Sequence, residues 1–145
     1  MKISTKGRYA LRLLLDLSEH RGDGYIALKD VAQRQNISKK YLEQIVPVLT
    51  KSGVLLTNRG YQGGYMLAGT PDKYTVGMIL RLTEGSLAPV ACLDCDPIGC
   101  DRSDNCATLS VWQGLHKVIT EYLDSMTLQD ILDKQQENNG GDYVI

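Results

Sequence analysis

A mainly α-helical fold with one small β-hairpin is predicted, a winged helix-turn-helix followed by a long C-terminal dimerisation helix. Three features of the sequence predict it. Apolar residues recur at helical spacing in residues 5–20 and again in 39–53, with a short polar helix and a turn between them. Two short apolar strands then flank a glycine-rich tip within residues 54–68. A further stretch, 111–126, carries more apolar positions than one face of a small domain needs.

In the first helix Tyr9, Leu13, Leu14 and Leu17 share a face, and RGDG (21–24) ends it with glycines. KDVAQRQ (29–35) forms a short second helix with Val31 and Ala32 inward, after which Asn36 turns the chain. Ser38 is the expected N-cap of the third helix, KKYLEQIVPVLTKSG, with Leu42, Ile45, Val46 and Leu49 as its buried stripe and Gly53 at its end. Pro47 lies inside that helix and removes the bond to the Glu43 carbonyl, so a bend is expected at 43–47. VLLTNRGYQGGYMLA (54–68) reads as the hairpin, and TVGMILRLTEG (75–85) as a helix ending at Gly85. In VWQGLHKVITEYLDSM the apolar positions are 111, 112, 115, 118, 119, 122, 123 and 126, a stripe suited to a helix–helix interface. Thr127 and Asp130 form a capping box that opens a last short helix, LQDILDKQ. The resulting divisions are a winged helix-turn-helix over 1–85, a cysteine-rich sensor loop over 86–107, a dimerisation helix region over 108–134 and a flexible tail over 135–145.

With 145 residues and 43% hydrophobic content the chain can pack one core without help from its cysteines. No apolar run approaches the length of a membrane span, and the N-terminal segment lacks the features of a signal peptide. A cytoplasmic location is expected, where thiols stay reduced. The net charge is only −1, but residues 1–60 carry eleven Lys/Arg against five Asp/Glu, while residues 61–145 carry five against twelve. A basic half of this kind suits a polyanionic partner.

In a helix-turn-helix the N-terminal part of the second helix enters the major groove. Here that part carries Ser38, Lys39, Lys40, Tyr41, Glu43 and Gln44. Lys40 and Gln44 lie one turn apart, suited to guanine and adenine edges, and Glu43 can accept from cytosine. Lys39, Lys6 and Arg8 are placed as phosphate contacts. Arg59 at the hairpin tip, beside Gly60 and Tyr61, suits a narrow minor groove. The partner expected is double-stranded operator DNA.

All four cysteines fall within CLDCDPIGCDRSDNC: Cys92, Cys95, Cys100 and Cys106. Structural zinc favours two close pairs, and only Cys92 and Cys95 are close. Loosely spaced thiolates on a loop suit an iron–sulfur cluster, with a thiol redox switch and zinc as the alternatives. Asp94, Asp96, Asp101 and Asp104 keep the loop solvated and repel DNA phosphate. A thiol oxidoreductase is disfavoured, because no βαβ pattern surrounds the CxxC and no Cys/His/Asp arrangement accompanies it. No enzyme activity is expected.

MKISTKGRYALRLLLDL, SKKYLEQIVPVLTKSGVL and NRGYQGGYMLA, in that order, resemble the Rrf2 family of bacterial transcription regulators, and the likeness runs from residue 1 to about 134. The resemblance implies a homodimer on operator DNA, a repressor in the reading adopted here, with positions Tyr41, Gln44 and Arg59 at the duplex. The cysteine loop is similar to that of the iron–sulfur members, which implies Cys92, Cys100 and Cys106 as ligands of a 2Fe–2S cluster, with Trp112 at the matching place in the next helix. The chain departs from that pattern in two ways. Leu109 stands where those members carry a histidine ligand, and Cys95 is an extra thiol able to serve as the fourth ligand. His116, two turns further on, is expected at the surface. Arg8 lies where the nitric-oxide-sensing members use an acidic ligand, which argues against their arrangement.

The chain ends in QQENNGGDYVI, a polar stretch presenting Asp142, Tyr143, Val144 and Ile145. DYVI resembles the C-terminus of serine acetyltransferases, which docks into cysteine synthase (O-acetylserine thiol-lyase), and a cysteine-metabolism repressor of the Rrf2 family works with that enzyme. The resemblance implies cysteine synthase as a partner and control of cysteine or iron–sulfur metabolism.

Overall fold

The computed structural model describes residues 1–141; Asp142, Tyr143, Val144 and Ile145 lie outside the described residues. The helices are α1 (Thr5–Glu19), α2 (Leu28–Gln35), α3 (Lys39–Lys51), α4 (Val76–Glu84), α5 (Leu109–Ser125) and α6 (Leu128–Gly141). Strands β1 (Leu55–Asn58) and β2 (Gly64–Leu67) form an antiparallel hairpin, with Leu55 opposite Leu67 and Asn58 opposite Gly64. Together α2, the turn, α3 and the hairpin make a winged helix-turn-helix.

The core follows the periodicities. Leu13, Leu14 and Leu17 of α1 meet Val31 of α2, Leu42, Ile45 and Leu49 of α3, and Leu55 of the hairpin, all almost inaccessible to water. Asn36 adopts the left-handed conformation (φ 54°), which turns the chain between α2 and α3 and lets Ile37 drop into the core. α3 runs unbroken through Pro47, whose ring sits on the exposed side opposite the buried stripe. α1 starts at Ser4, whose hydroxyl accepts from the Gly7 N–H at 3.1 Å and donates to the Glu84 carboxylate at 2.6 Å. That contact ties the start of α1 to the end of α4. Gly7 permits it, because any side chain there would run into Glu84 and Leu80.

Two features differ from the expectation. The last helix continues to Gly141 instead of ending near residue 135, so the polar stretch that reads as tail is largely helical. α6 also returns to the winged-helix core. Leu128 is fully buried in the main cluster and Leu132 is buried nearby. The Val76 N–H donates to Met126 O at 2.8 Å and the Leu128 N–H to Tyr74 O at 2.9 Å, stitching the α5–α6 junction to the entry of α4. The capping box forms as expected: the Thr127 N–H donates to Asp130 at 2.9 Å, and the Asp130 N–H to the Thr127 hydroxyl at 3.0 Å.

One buried polar cluster clips α1 to α2. Asp16 is 1% exposed, and its carboxylate accepts from Arg34 (Nε at 3.0 Å, a terminal nitrogen at 2.6 Å) and from the Gln35 amide at 3.0 Å. Arg12 reaches the same end of α2, donating to the Gln35 side-chain oxygen at 3.3 Å and to the Gln35 carbonyl. Removing one partner of a buried ion pair costs about 3–5 kcal/mol, less when the other can rehydrate. Arg34 is about a third exposed, so Asp16→Ala is expected to cost about 3 kcal/mol in urea unfolding. A loss below about 1 kcal/mol, the level of a surface pair, would show that the clip contributes little to stability.

Candidate nucleic-acid interface and cysteine loop

α3 buries Leu42, Ile45, Val46 and Leu49, and the 3.6-residue period therefore turns Lys39, Lys40, Glu43 and Gln44 outward, all exposed. Ser38 spends its hydroxyl on the helix start, accepting from the Tyr41 N–H at 3.0 Å. The Lys39 ammonium lies 3.7 Å from the Glu43 carboxylate, a pair across one turn. Tyr41 differs from its neighbours. Its ring is half-buried and packs edge-on against Tyr9 at 5.3 Å, so it sets the angle of α3 on α1. Lys6 is half-buried on α1, and exposed Arg8 donates to the Thr5 hydroxyl at 3.0 Å.

The wing is held to the segment before α2. The Ile26 N–H donates to Tyr65 O at 2.9 Å and the Tyr65 N–H to Ile26 O at 2.8 Å. Gly64 is required there, because a side chain would collide with the Ile26 carbonyl. The Gly63 N–H donates to Gly60 O at 2.9 Å and closes the tip, where Arg59 is exposed and Tyr61 fully so. A groove of about 550 Å³ runs between α3 and the wing, with Lys39 and Glu43 on one wall and Arg59 on the other. Lys29 of α2 also lines it, a residue that sequence reasoning missed. The available signal was its place in the first turn of the short helix.

In the cysteine loop Cys92 and Cys100 are half-buried, Cys95 and Cys106 are exposed, and all four are free thiols. Among the described residues no three His, Cys, Asp or Glu side chains are gathered so as to hold a metal ion. The loop thus has the donor chemistry of a thiolate-ligated centre without the four sulfurs converging. The Ser86 hydroxyl donates to Asp94 at 2.5 Å, folding the first part of the loop back on its start. Cys106 stands just before α5 with its sulfur 3.5 Å from the Thr108 hydroxyl, and hydrogen bonding from Thr108 holds the thiol below its ordinary value. His116 is half-buried rather than at the surface, and its inaccessible Nδ1 finds no hydrogen-bond partner among the described residues.

The broad apolar stripe of α5 divides in two. Trp112, Ile119, Leu123 and Met126 are partly covered, and Leu123 and Met126 pack against Val76 and Leu80 of α4. Val111, Leu115, Val118 and Tyr122 form an uncovered row at 43–64% exposure. Arg81 of α4 grips Asp124 of α5 through two hydrogen bonds of 2.8 Å. Those bonds hold the Asp124 carboxyl below its usual range. The clamp is therefore intact at neutral pH and is lost only as pH falls through that lowered value. Gly77 lets α5 approach, since a side chain there would meet Asp124.

The Cys106 geometry has a measurable consequence. In a chain whose other three cysteines are serine, alkylation of Cys106 is expected to persist to lower pH than that of a free cysteine, and Thr108→Val should move the profile upward. Identical profiles for the two chains would remove Thr108 as the cause.

Residues 3–134 match the family model of Rrf2, an iron-dependent transcriptional regulator. The HTH-type transcriptional regulator CymR of Bacillus subtilis is 40% identical over 131 residues, covering 90% of this chain and 89% of that protein. The solved structure of CymR, the global cysteine regulator of B. subtilis, aligns with a TM-score of 0.76 and 37% identity over 92% of this chain and 98% of that one. The structure of T. potens IscR aligns with a TM-score of 0.77 and 42% identity over 95% and 90% of the two chains.

Proposed function

Because this chain belongs to the Rrf2 family of transcriptional regulators, we propose that it represses transcription by binding operator DNA as a two-fold symmetric dimer in the cytoplasm, under the control of its cysteine loop. One observation carries the DNA reading. Lys39, Lys40, Glu43 and Gln44 project from a helix whose opposite face is core, beside a wing that presents Arg59 and Tyr61. Lys40 and Gln44 read base edges, Lys39, Lys6 and Arg8 bind phosphate, and Arg59 enters the minor groove. Ser38 and Tyr41 lie at the same surface, where they also fix the start and angle of α3.

The uncovered row Val111, Leu115, Val118 and Tyr122 repeats at intervals of four, three and four residues, the spacing of a helix–helix seam. A second copy of α5 covers it in this reading. Val118→Asp is then expected to give a monomer by analytical ultracentrifugation and to lower operator affinity about a hundredfold or more, through loss of the second half-site. A dimer that survives this substitution places the interface elsewhere.

Cys92, Cys100 and Cys106, with Cys95 as the fourth thiol, are the residues that would hold an iron–sulfur cluster, of the 2Fe–2S type on the family pattern. Such a cluster supplies a redox-active iron centre when bound. Support comes from four thiols within fifteen residues and from the lowered Cys106 thiol; the sulfurs do not converge, so ligation requires the loop to rearrange. The chain's own part is mechanical. α5 is anchored near its C-terminal end by Arg81–Asp124, whereas the loop joins its other end, so a change of loop order tilts α5 and alters the separation of the two recognition helices.

A second reading is favoured by the lowered thiol of exposed Cys106 and by the similarity to CymR: control without a cluster, through thiol oxidation or through cysteine synthase bound at Asp142, Tyr143, Val144 and Ile145. Anaerobic purification with iron and acid-labile sulfide analysis separates the two. Stoichiometric iron and sulfide, lost in Cys106→Ala, support the cluster. Iron-free protein with four titratable thiols supports the second reading.

A further inference from the structure

We infer that Lys29 is an additional phosphate-binding residue, and that the groove between α3 and the wing is a track for the DNA sugar–phosphate backbone, with Lys29 and Lys39 on its margins. This rests on the DNA-binding reading above. Lys29 is exposed and lines two adjoining clefts, the one between α3 and the wing and a second of about 450 Å³ between α2 and the wing tip. It therefore stands on the ridge the two clefts share.

Charge favours a polyanion at this place. Lys29, Lys39 and Arg59 line the first groove, and among the described residues Glu43 is its one acidic lining residue, already engaged by Lys39. Among the described residues the Lys29 ammonium has no ion-pair partner and is left for an incoming phosphate, with Asp30 the one acidic residue lining the second cleft. The walls are also fixed before binding. The paired hydrogen bonds of Ile26 and Tyr65 hold the wing to the segment leading into α2, so the backbones carrying Lys29 and Arg59 keep their relative position. Binding then orders the two side chains without moving the backbone. A phosphate bound here sits beside the recognition row of α3 and so sets the register in which Lys40 and Gln44 meet the bases.

Each phosphate contact contributes about 0.9 to the slope of log K against log salt. A two-fold complex carries two copies of Lys29, so Lys29→Gln is expected to reduce the slope by about 1.8 and the affinity about thirtyfold at ~0.15 M salt. The probe is a duplex enriched by the wild-type chain from a random library, with a scrambled duplex alongside. The loss should be nearly equal on both duplexes, leaving their affinity ratio intact, and Lys29→Arg should restore the slope. An unchanged slope for Lys29→Gln, against a wild type that binds the duplex, overturns this inference alone. A loss confined to the enriched duplex also overturns it, by making Lys29 a base reader. Failure of the wild-type chain to bind any duplex overturns the DNA reading itself.

Discussion

The buried carboxylate of Asp16 is the constraint on which the placement of α3 and its exposed row depends. A charge removed from water must be paired on all sides, and Asp16 meets that demand only when Arg34 and Gln35 at the end of α2 are brought against α1. Arg12 holds the same end from the other side through Gln35. The left-handed turn at Asn36 follows at once, and α3 leaves it in a defined direction. Arg12 also lies 5.2 Å over the Tyr9 ring, which in turn packs edge-on against Tyr41. One polar clip and one aromatic contact thus fix the two sides of the α2–α3 turn to α1. Apolar packing alone tolerates small slides of one helix on another; a network with directional bonds does not.

The second half of the chain is built differently. α5 has no buried residue, yet it is not loose, because Arg81, Gly77 and the Val76–Met126 bond hold its C-terminal end against α4. From that anchorage the helix carries an uncovered apolar row toward the cysteine loop. Under the proposed control, a rearrangement of the loop would move the N-terminal end of α5 most and the end held by Arg81 least. The same anchorage joins α4, which Ser4 and Glu84 tie to α1 and thus to the clip at Asp16. The loop and the recognition helix are therefore linked through contiguous packed elements.

The elements of the fold were legible in the sequence because they are specified by near neighbours. The α3 stripe, the Ser38 cap, the capping box of Thr127 and Asp130 and the glycine tip of the wing each depend on residues only a few positions apart, and all are present. Cysteine spacing likewise marked the loop. Less was legible where a residue's role depends on a distant partner. Asp16 and Lys29 carried no distinct signal of their role, and QQENNGG read as part of a flexible tail. His116 read as exposed, although its Nδ1 is enclosed.

By itself the sequence determined which segments are helices, where they start and stop apart from the end of α6, which side chains of α3 face outward and which thiols share a loop. Periodicity, caps and turn residues act over a few bonds, and that range suffices. Tertiary structure alone decided that α6 completes the winged-helix core, that the α5 stripe divides into a packed and an uncovered half, that Lys29 stands at the groove beside Arg59, and that the four sulfurs do not converge. Each of these is a relation between residues tens of positions apart. Such relations are settled by which apolar surfaces are buried together and which charges must find partners when they are.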